Sequence, residues 1–152
     1  MSGDGGERKR LLSLLLGAAA VMALAGCNDP VQAALTGSAS APTVILSPCR
    51  ADWHEWDRLE VLDTTTGATL WAIKATGAAA VDMSRVTYGE PPSGAEVVSD
   101  AAKIPTADTI QWVWTRQDSE PVRQSFTVKL VRDSKALETD DSLVELAKWE
   151  DC

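Results

Sequence analysis

Apolar residues run along this chain in two different rhythms. From Leu11 to Gly26 the chain is apolar except for Ser13, directly behind Arg8-Lys9-Arg10. From Thr43 onward, short runs alternate with period two between turn residues, the mark of half-buried strands. Thr43 to Ser47 is a β-branched apolar run. Glu55 to Asp63 sets Leu59 and Val61 opposite Arg58 and Glu60, and Thr64-Thr65-Thr66-Gly67 makes a turn. Thr69 to Ala75 brings Trp71 beside Ile73, and Asp82 to Tyr88 brings Val86 beside Tyr88. Glu90-Pro91-Pro92-Ser93-Gly94 breaks the pattern, and Ala95 to Ser99 reads as a short edge strand. Thr109 to Thr115 gathers Ile110, Trp112 and Trp114 on one face. Arg123 to Val131 sets Phe126, Val128 and Leu130 against Ser125, Thr127 and Lys129.

These seven candidates start about every 12–14 residues, too close for crossover helices between parallel strands. The expected fold is mainly β, a single antiparallel sandwich of about seven strands. Near the C-terminus, Ser142 and Glu145 fit a capping box, and Leu143, Leu146 and Trp149 share a helical stripe. That pattern predicts a short C-terminal helix, although Leu143, Glu145 and Ala147 also alternate as a final strand would.

The first rhythm has a different meaning. A basic segment, a short apolar segment and Leu24-Ala25-Gly26-Cys27 follow in the order of a bacterial lipoprotein signal. In such a signal the Cys27 thiol receives a diacylglycerol, and the bond before it is cut. Sixteen residues at 1.5 Å each span roughly 24 Å, short of the ~30 Å hydrocarbon core, so a transmembrane span fits less well. An ordinary secretory signal cut near Ala33 or Ala34 is the other alternative. A twin-arginine signal fits poorly, because the pair is Lys9-Arg10. The expected organisation is a signal peptide over 1–26, a lipidated, disordered tether over 27–42, and the β domain over 43–152. The tether reading rests on small polar residues without periodicity from Asn28 to Pro42.

Cysteine usage agrees with export. Three cysteines leave an odd thiol, and lipidation of Cys27 removes it. Cys49 and Cys152 are then expected to pair in an oxidising compartment. Two cysteines so far apart, with one histidine in the chain, do not form a zinc site.

Charge narrows the partners. The chain has 14 basic and 22 acidic residues. Without Arg8, Lys9, Arg10, Asp4 and Glu7 the part from Cys27 on keeps 11 and 20, a net charge of −9. Nucleic acid is excluded as a partner, since no basic stripe is present. Membrane attachment must come from acyl chains, two or more of which hold stably.

Catalytic signals are absent. His54 lies among Asp52, Glu55 and Asp57, but the position four residues on is Arg58, so no HExxH zinc motif exists. Neighbouring strand residues point to opposite faces, so His54 and Glu55 would not share an ion there. A solvated or locally hydrogen-bonded histidine is the expectation. No nucleophile elbow or phosphate loop occurs. The chain is read as a non-enzyme with no cofactor and no metal; an enzyme or enzyme accessory built on acidic residues is the weaker reading.

Six tryptophans against one Tyr and one Phe are the unusual feature. Trp71 is assigned to the core, and Trp112 and Trp114 fit there too. Trp53, Trp56 and Trp149 are the ones expected at the surface, as a ligand platform on which a sugar could stack.

Leu70-Trp71-Ala72-Ile73, the segment Val86-Thr87-Tyr88-Gly89-Glu90-Pro91-Pro92-Ser93-Gly94, and Phe126-Thr127-Val128 together carry a resemblance. They resemble a family of small actinobacterial lipoproteins of unknown function, over roughly Asp57 to Val131. The resemblance implies an immunoglobulin-like domain on the cell envelope and no reaction. The functional expectation is a membrane-anchored envelope lipoprotein facing outside the cytoplasm, a non-catalytic binding or structural module. Its partner would be an envelope protein or, on the platform reading, a wall glycan.

Overall fold

A computed structural model of the protein describes residues 32–105 and 108–151. Cys27, the signal residues and Cys152 lie outside the described residues. Twelve strands and one short helix appear among those described: β1 (Ala33–Ser38), β2 (Ala41–Leu46), β3 (Glu55–Trp56), β4 (Arg58–Asp63), β5 (Thr69–Ala75), β6 (Val81–Asp82), β7 (Arg85–Thr87), β8 (Ala95–Ser99), β9 (Thr109–Thr115), β10 (Val122–Thr127), β11 (Lys135–Leu137), β12 (Leu143–Glu145) and α1 (Leu146–Trp149). One five-stranded sheet has the order β12-β11-β1-β2-β7, and the other β10-β9-β4-β5-β8. Strands β3 and β6 form a separate two-stranded ribbon. Every pairing is antiparallel.

Both sheets feed one core. Leu35, Val44 and Val86 from the first sheet and Leu59, Val61, Trp71, Ile73, Ile110, Trp112, Trp114 and Phe126 from the second belong to a single buried cluster. The mainly β, antiparallel character expected from the period-two runs is therefore present. The count exceeds seven for two reasons. Long runs are broken, Glu55–Asp63 at Asp57 and Asp82–Tyr88 at Met83 and Ser84. In addition, β1, β11 and β12 come from segments whose patterning is weak.

The largest correction concerns the tether. Residues 33–42 are not a spacer. Ala33, Ala34 and Leu35 are buried in β1, which pairs with β2 from Ala33↔Leu46 to Ser38↔Ala41. The domain thus begins ten residues before the expected Thr43. Small side chains caused the misreading: alanine and glycine look like linker, yet in a central strand they leave room for a covering layer.

That covering layer is the C-terminal segment. Ala34, Ile45 and Ala136 are 0–5% exposed but do not belong to the shared core, so they are buried on the outer face of the first sheet. Helix α1 contacts β11 and β12, and Glu150 forms an ion pair with Arg85 on β7. The last residues therefore cross the sheet like a strap. The expected capping box is not formed. Leu143 to Glu145 is a strand, Glu145 is the N-cap without a side-chain bond, and the Ser142 hydroxyl bonds Glu138 instead. Strand and helix, the two alternatives for this stretch, follow one another. The Arg123 to Val131 run also ends early, in a 3-10 turn at Val128–Leu130.

Two polar devices fix the connections. The Tyr88 hydroxyl, on a 6% exposed residue, lies 2.9 Å from the Leu70 carbonyl and 2.7 Å from that of Ala102, tying the β7 end to the other sheet. Asp63 accepts the backbone N–H groups of Thr65 at 2.8 Å and Thr66 at 3.3 Å, closing the β4–β5 turn. The Thr65 amide, with these neighbours, holds the Asp63 carboxyl below its usual 3.8. A carboxylate depressed in the folded state contributes stability above its unfolded value and loses it as pH falls through the folded one. Stability measured by urea unfolding should therefore fall as pH drops below about 4, and Asp63→Ala should reduce that fall. An identical pH profile in the variant would refute the role given to Asp63.

Candidate functional site

The chain enters the domain at one end, and most of the singled-out residues are gathered there. The Ser47 amide donates to the Gln32 carbonyl, placing the start of β1 beside the end of β2. A 3-10 turn over Ala51–Trp53 follows, and His54 leads into β3. The Met83 amide donates to the His54 carbonyl and the Leu46 amide to the Ser84 carbonyl, which draws the β6–β7 connection to the same place.

Trp53 and Trp56 start a ladder of rings. Trp53 stacks on Trp56 with centroids 6.0 Å apart and planes 27° apart. Trp56 lies 6.5 Å from Trp114, which stacks on Trp112 at 6.3 Å. The Trp56 indole N–H donates to the Trp53 carbonyl at 2.6 Å. Two cations cap this ladder: Arg50 lies 5.6 Å from the Trp53 centroid and Arg116 lies 5.0 Å from that of Trp56. Arg116 also donates to the backbone carbonyls of Glu55 and Asp52. Arg50 is in turn held by Asp52, and its guanidinium keeps that carboxyl below the usual carboxylate range.

This corrects the platform. Trp56 is 1% exposed, not a surface residue, because three side chains of the ladder enclose it. Trp53 is half-buried, with Arg50 and Trp56 packed against its ring. Trp149 is half-buried on α1, the strap rather than the ladder. The three rings do not form one flat open surface. Trp71, Trp112 and Trp114 are core residues at 0% exposure, as the alternation indicates. Arg50 and Arg116 are the residues that reading the sequence overlooked. Their role depends on contacts between distant segments, and only Arg50, three residues before Trp53, carries a local hint.

His54 is locally bonded: its Nε2–H donates to the Ser47 carbonyl at 3.0 Å. It borders a shallow cavity of about 280 Å³ with Ile45, Leu46, Pro48, Ser84, Arg85 and Glu150. Arg85 and Glu150 neutralise each other on its rim. Among the described residues, no group of three or more His, Cys, Asp or Glu side chains is placed to hold a metal ion. No helix among them is long and apolar enough to cross a membrane.

Cys49 is exposed next to this cavity, and it is engaged rather than free. Glu150, two residues before Cys152, lines the same cavity as Pro48, one residue before Cys49. Compared with known protein families, curated proteins and solved structures, the chain matches none.

Proposed function

We propose that this is a lipid-anchored protein of the bacterial cell envelope, an immunoglobulin-like sandwich held outside the cytoplasm by acyl chains on Cys27. It acts as a non-catalytic binding or structural module. The observation that carries the reading is where the domain begins. A signal cut after Ala33 or Ala34 would sever β1, whose first three residues are buried in the fold. A cut before Cys27 leaves the whole strand intact and puts the acylated cysteine six residues ahead of Ala33.

A bridge between Cys49 and Cys152 belongs to the same proposal. The strap brings Glu150 beside Pro48, within two residues of both cysteines, and an oxidising compartment favours the bond. The non-catalytic reading is supported by the engagement of the polar groups on the cavity rim: His54 bonds a carbonyl, and Arg85 pairs with Glu150. A wall-glycan platform is the less favoured reading, because stacking needs an open ring face, and the Trp53–Trp56 pair is packed between two arginines.

Replacing Cys27 by Ala tests the anchor. The full chain expressed in a bacterium should incorporate labelled palmitate and sediment with membranes. Cys27→Ala should lose the label, remain uncleaved as the precursor, and no longer be held in the membrane by acyl chains. Palmitate labelling that survives the substitution would overturn the assignment of Cys27.

A further inference from the structure

The corrected start of the domain shortens the anchor, and that restricts which surface can meet the membrane. From Cys27 to Ala33 there are six residue steps. Such a chain reaches at most about 20 Å even when fully extended. Strand β1 itself runs about 17 Å from Ala33 to Ser38. To lay the opposite end of the domain on the lipid, the entering chain would have to double back along the whole strand and round the turn at Ala39 and Ser40. Its reach barely exceeds the length of the strand, so the far end meets the lipid only with the link stretched flat along the flank of the domain, at the full entropic cost of that stretching.

We infer that the end of the domain carrying Gln32, Pro48, Trp53 and Glu150 lies against the phospholipid surface that holds Cys27, with Trp53 at the level of the headgroups. The inference rests on the lipid-anchor reading. It adds a defined interaction surface and its partner, the leaflet in which Cys27 is acylated. The residue types suit that position. Pro48, Cys49 and Ala51 are exposed, and the half-buried Trp53 ring carries Arg50 on one side. The Trp53 indole N–H is itself buried, so what this end offers the lipid is the exposed part of the ring's carbon edge, with the Arg50 cation beside it.

Charge does not create this contact. Around the entry point Asp52, Glu55, Asp57, Asp82 and Glu150 outnumber Arg50, Arg85 and Arg116. A freely diffusing domain with that end would avoid an anionic leaflet. The short covalent link instead holds the end at high effective concentration next to the lipid, as any brief tether does.

The test uses the full chain, processed in bacteria and reconstituted in phosphatidylcholine vesicles whose acyl chains are brominated near the glycerol. Vesicle flotation reports whether the protein is anchored, and bromine quenching of tryptophan reports which residues meet the lipid. Trp56, Trp71, Trp112 and Trp114 are 0–1% exposed, so surface quenching comes from Trp53 and Trp149. The expected result is flotation with partial loss of emission, and a smaller loss in Trp53→Phe. In the unaltered protein, vesicle attachment should also reduce quenching by aqueous iodide, a readout that holds even if the variant does not fold. Flotation with no bromine quenching and unchanged iodide access would overturn the orientation while leaving the anchor standing. Failure to float would remove the anchor, and the inference with it.

Discussion

Truncating Trp114 to Ala should destabilise the domain by about 3–5 kcal/mol and lower its melting temperature by about 10–20 °C. Trp114 is 0% exposed on β9, a strand flanked by β10 and β4 in the second sheet. Its ring lies between those of Trp112 and Trp56, so both neighbours lose packing when it goes. A loss of that size is a large part of the 5–15 kcal/mol that usually holds a domain together. Trp114→Phe should behave differently. The Trp114 indole N–H is buried with no hydrogen-bond partner among the described residues, an arrangement that costs about 1–3 kcal/mol. Phenylalanine removes that donor and keeps a ring, so its net cost should stay within about 1.5 kcal/mol. Thermal and urea unfolding of both variants check this. An alanine variant melting within a few degrees of the parent would mean that the ladder does not hold the core.

Breaking the proposed Cys49–Cys152 bridge is expected to cost a comparable amount. The loop it would close has 104 residues, for which the chain-entropy estimate is about 4.7 kcal/mol. The effect should also be local. The bond would clamp the strap, whose other ties across the first sheet include the exposed Arg85–Glu150 pair, and exposed pairs contribute about 0–1 kcal/mol. In Cys152→Ser, the amides near Ala34 and Ile45 should exchange with solvent faster than those in the ladder. Intact mass without reductant should show the bridge as two missing hydrogens. An unreduced mass equal to the reduced one, with a melting temperature insensitive to reductant, would rule the bond out.

Much of the second sheet is legible in the sequence because β4 alternates cleanly and the runs of β5 and β9 are rich in β-branched and aromatic residues between turn signals. Thr69–Ala75 and Thr109–Thr115 appear as strands with the bounds read from the sequence, and Ala95–Ser99 is the edge strand expected after the proline turn. The first sheet is harder to read, since it is covered on both faces. Where the core takes one side and the strap the other, Ala33, Ala34 and Leu35 are buried in succession, and no alternation remains. Small residues such as Ala34 and Ala136 then resemble a linker. The site divides in the same way. His54 as a locally bonded residue and Trp71 as core follow from chemistry and period. The enclosure of Trp56 does not, since Arg116 reaches it from sixty positions away in the chain.

The position of β1 also bears on mechanical load. It is the first strand among the described residues, yet it lies inside its sheet, between β11 and β2. Under the proposed attachment at Cys27, drag on the domain would reach the fold through this strand. A pull along the strand axis would act across hydrogen bonds that stand perpendicular to it. The bonds on both sides of β1 must then shear together instead of opening one by one. On the proposed acylation of Cys27, a load on the domain would thus meet a strand whose ladders on both sides resist together.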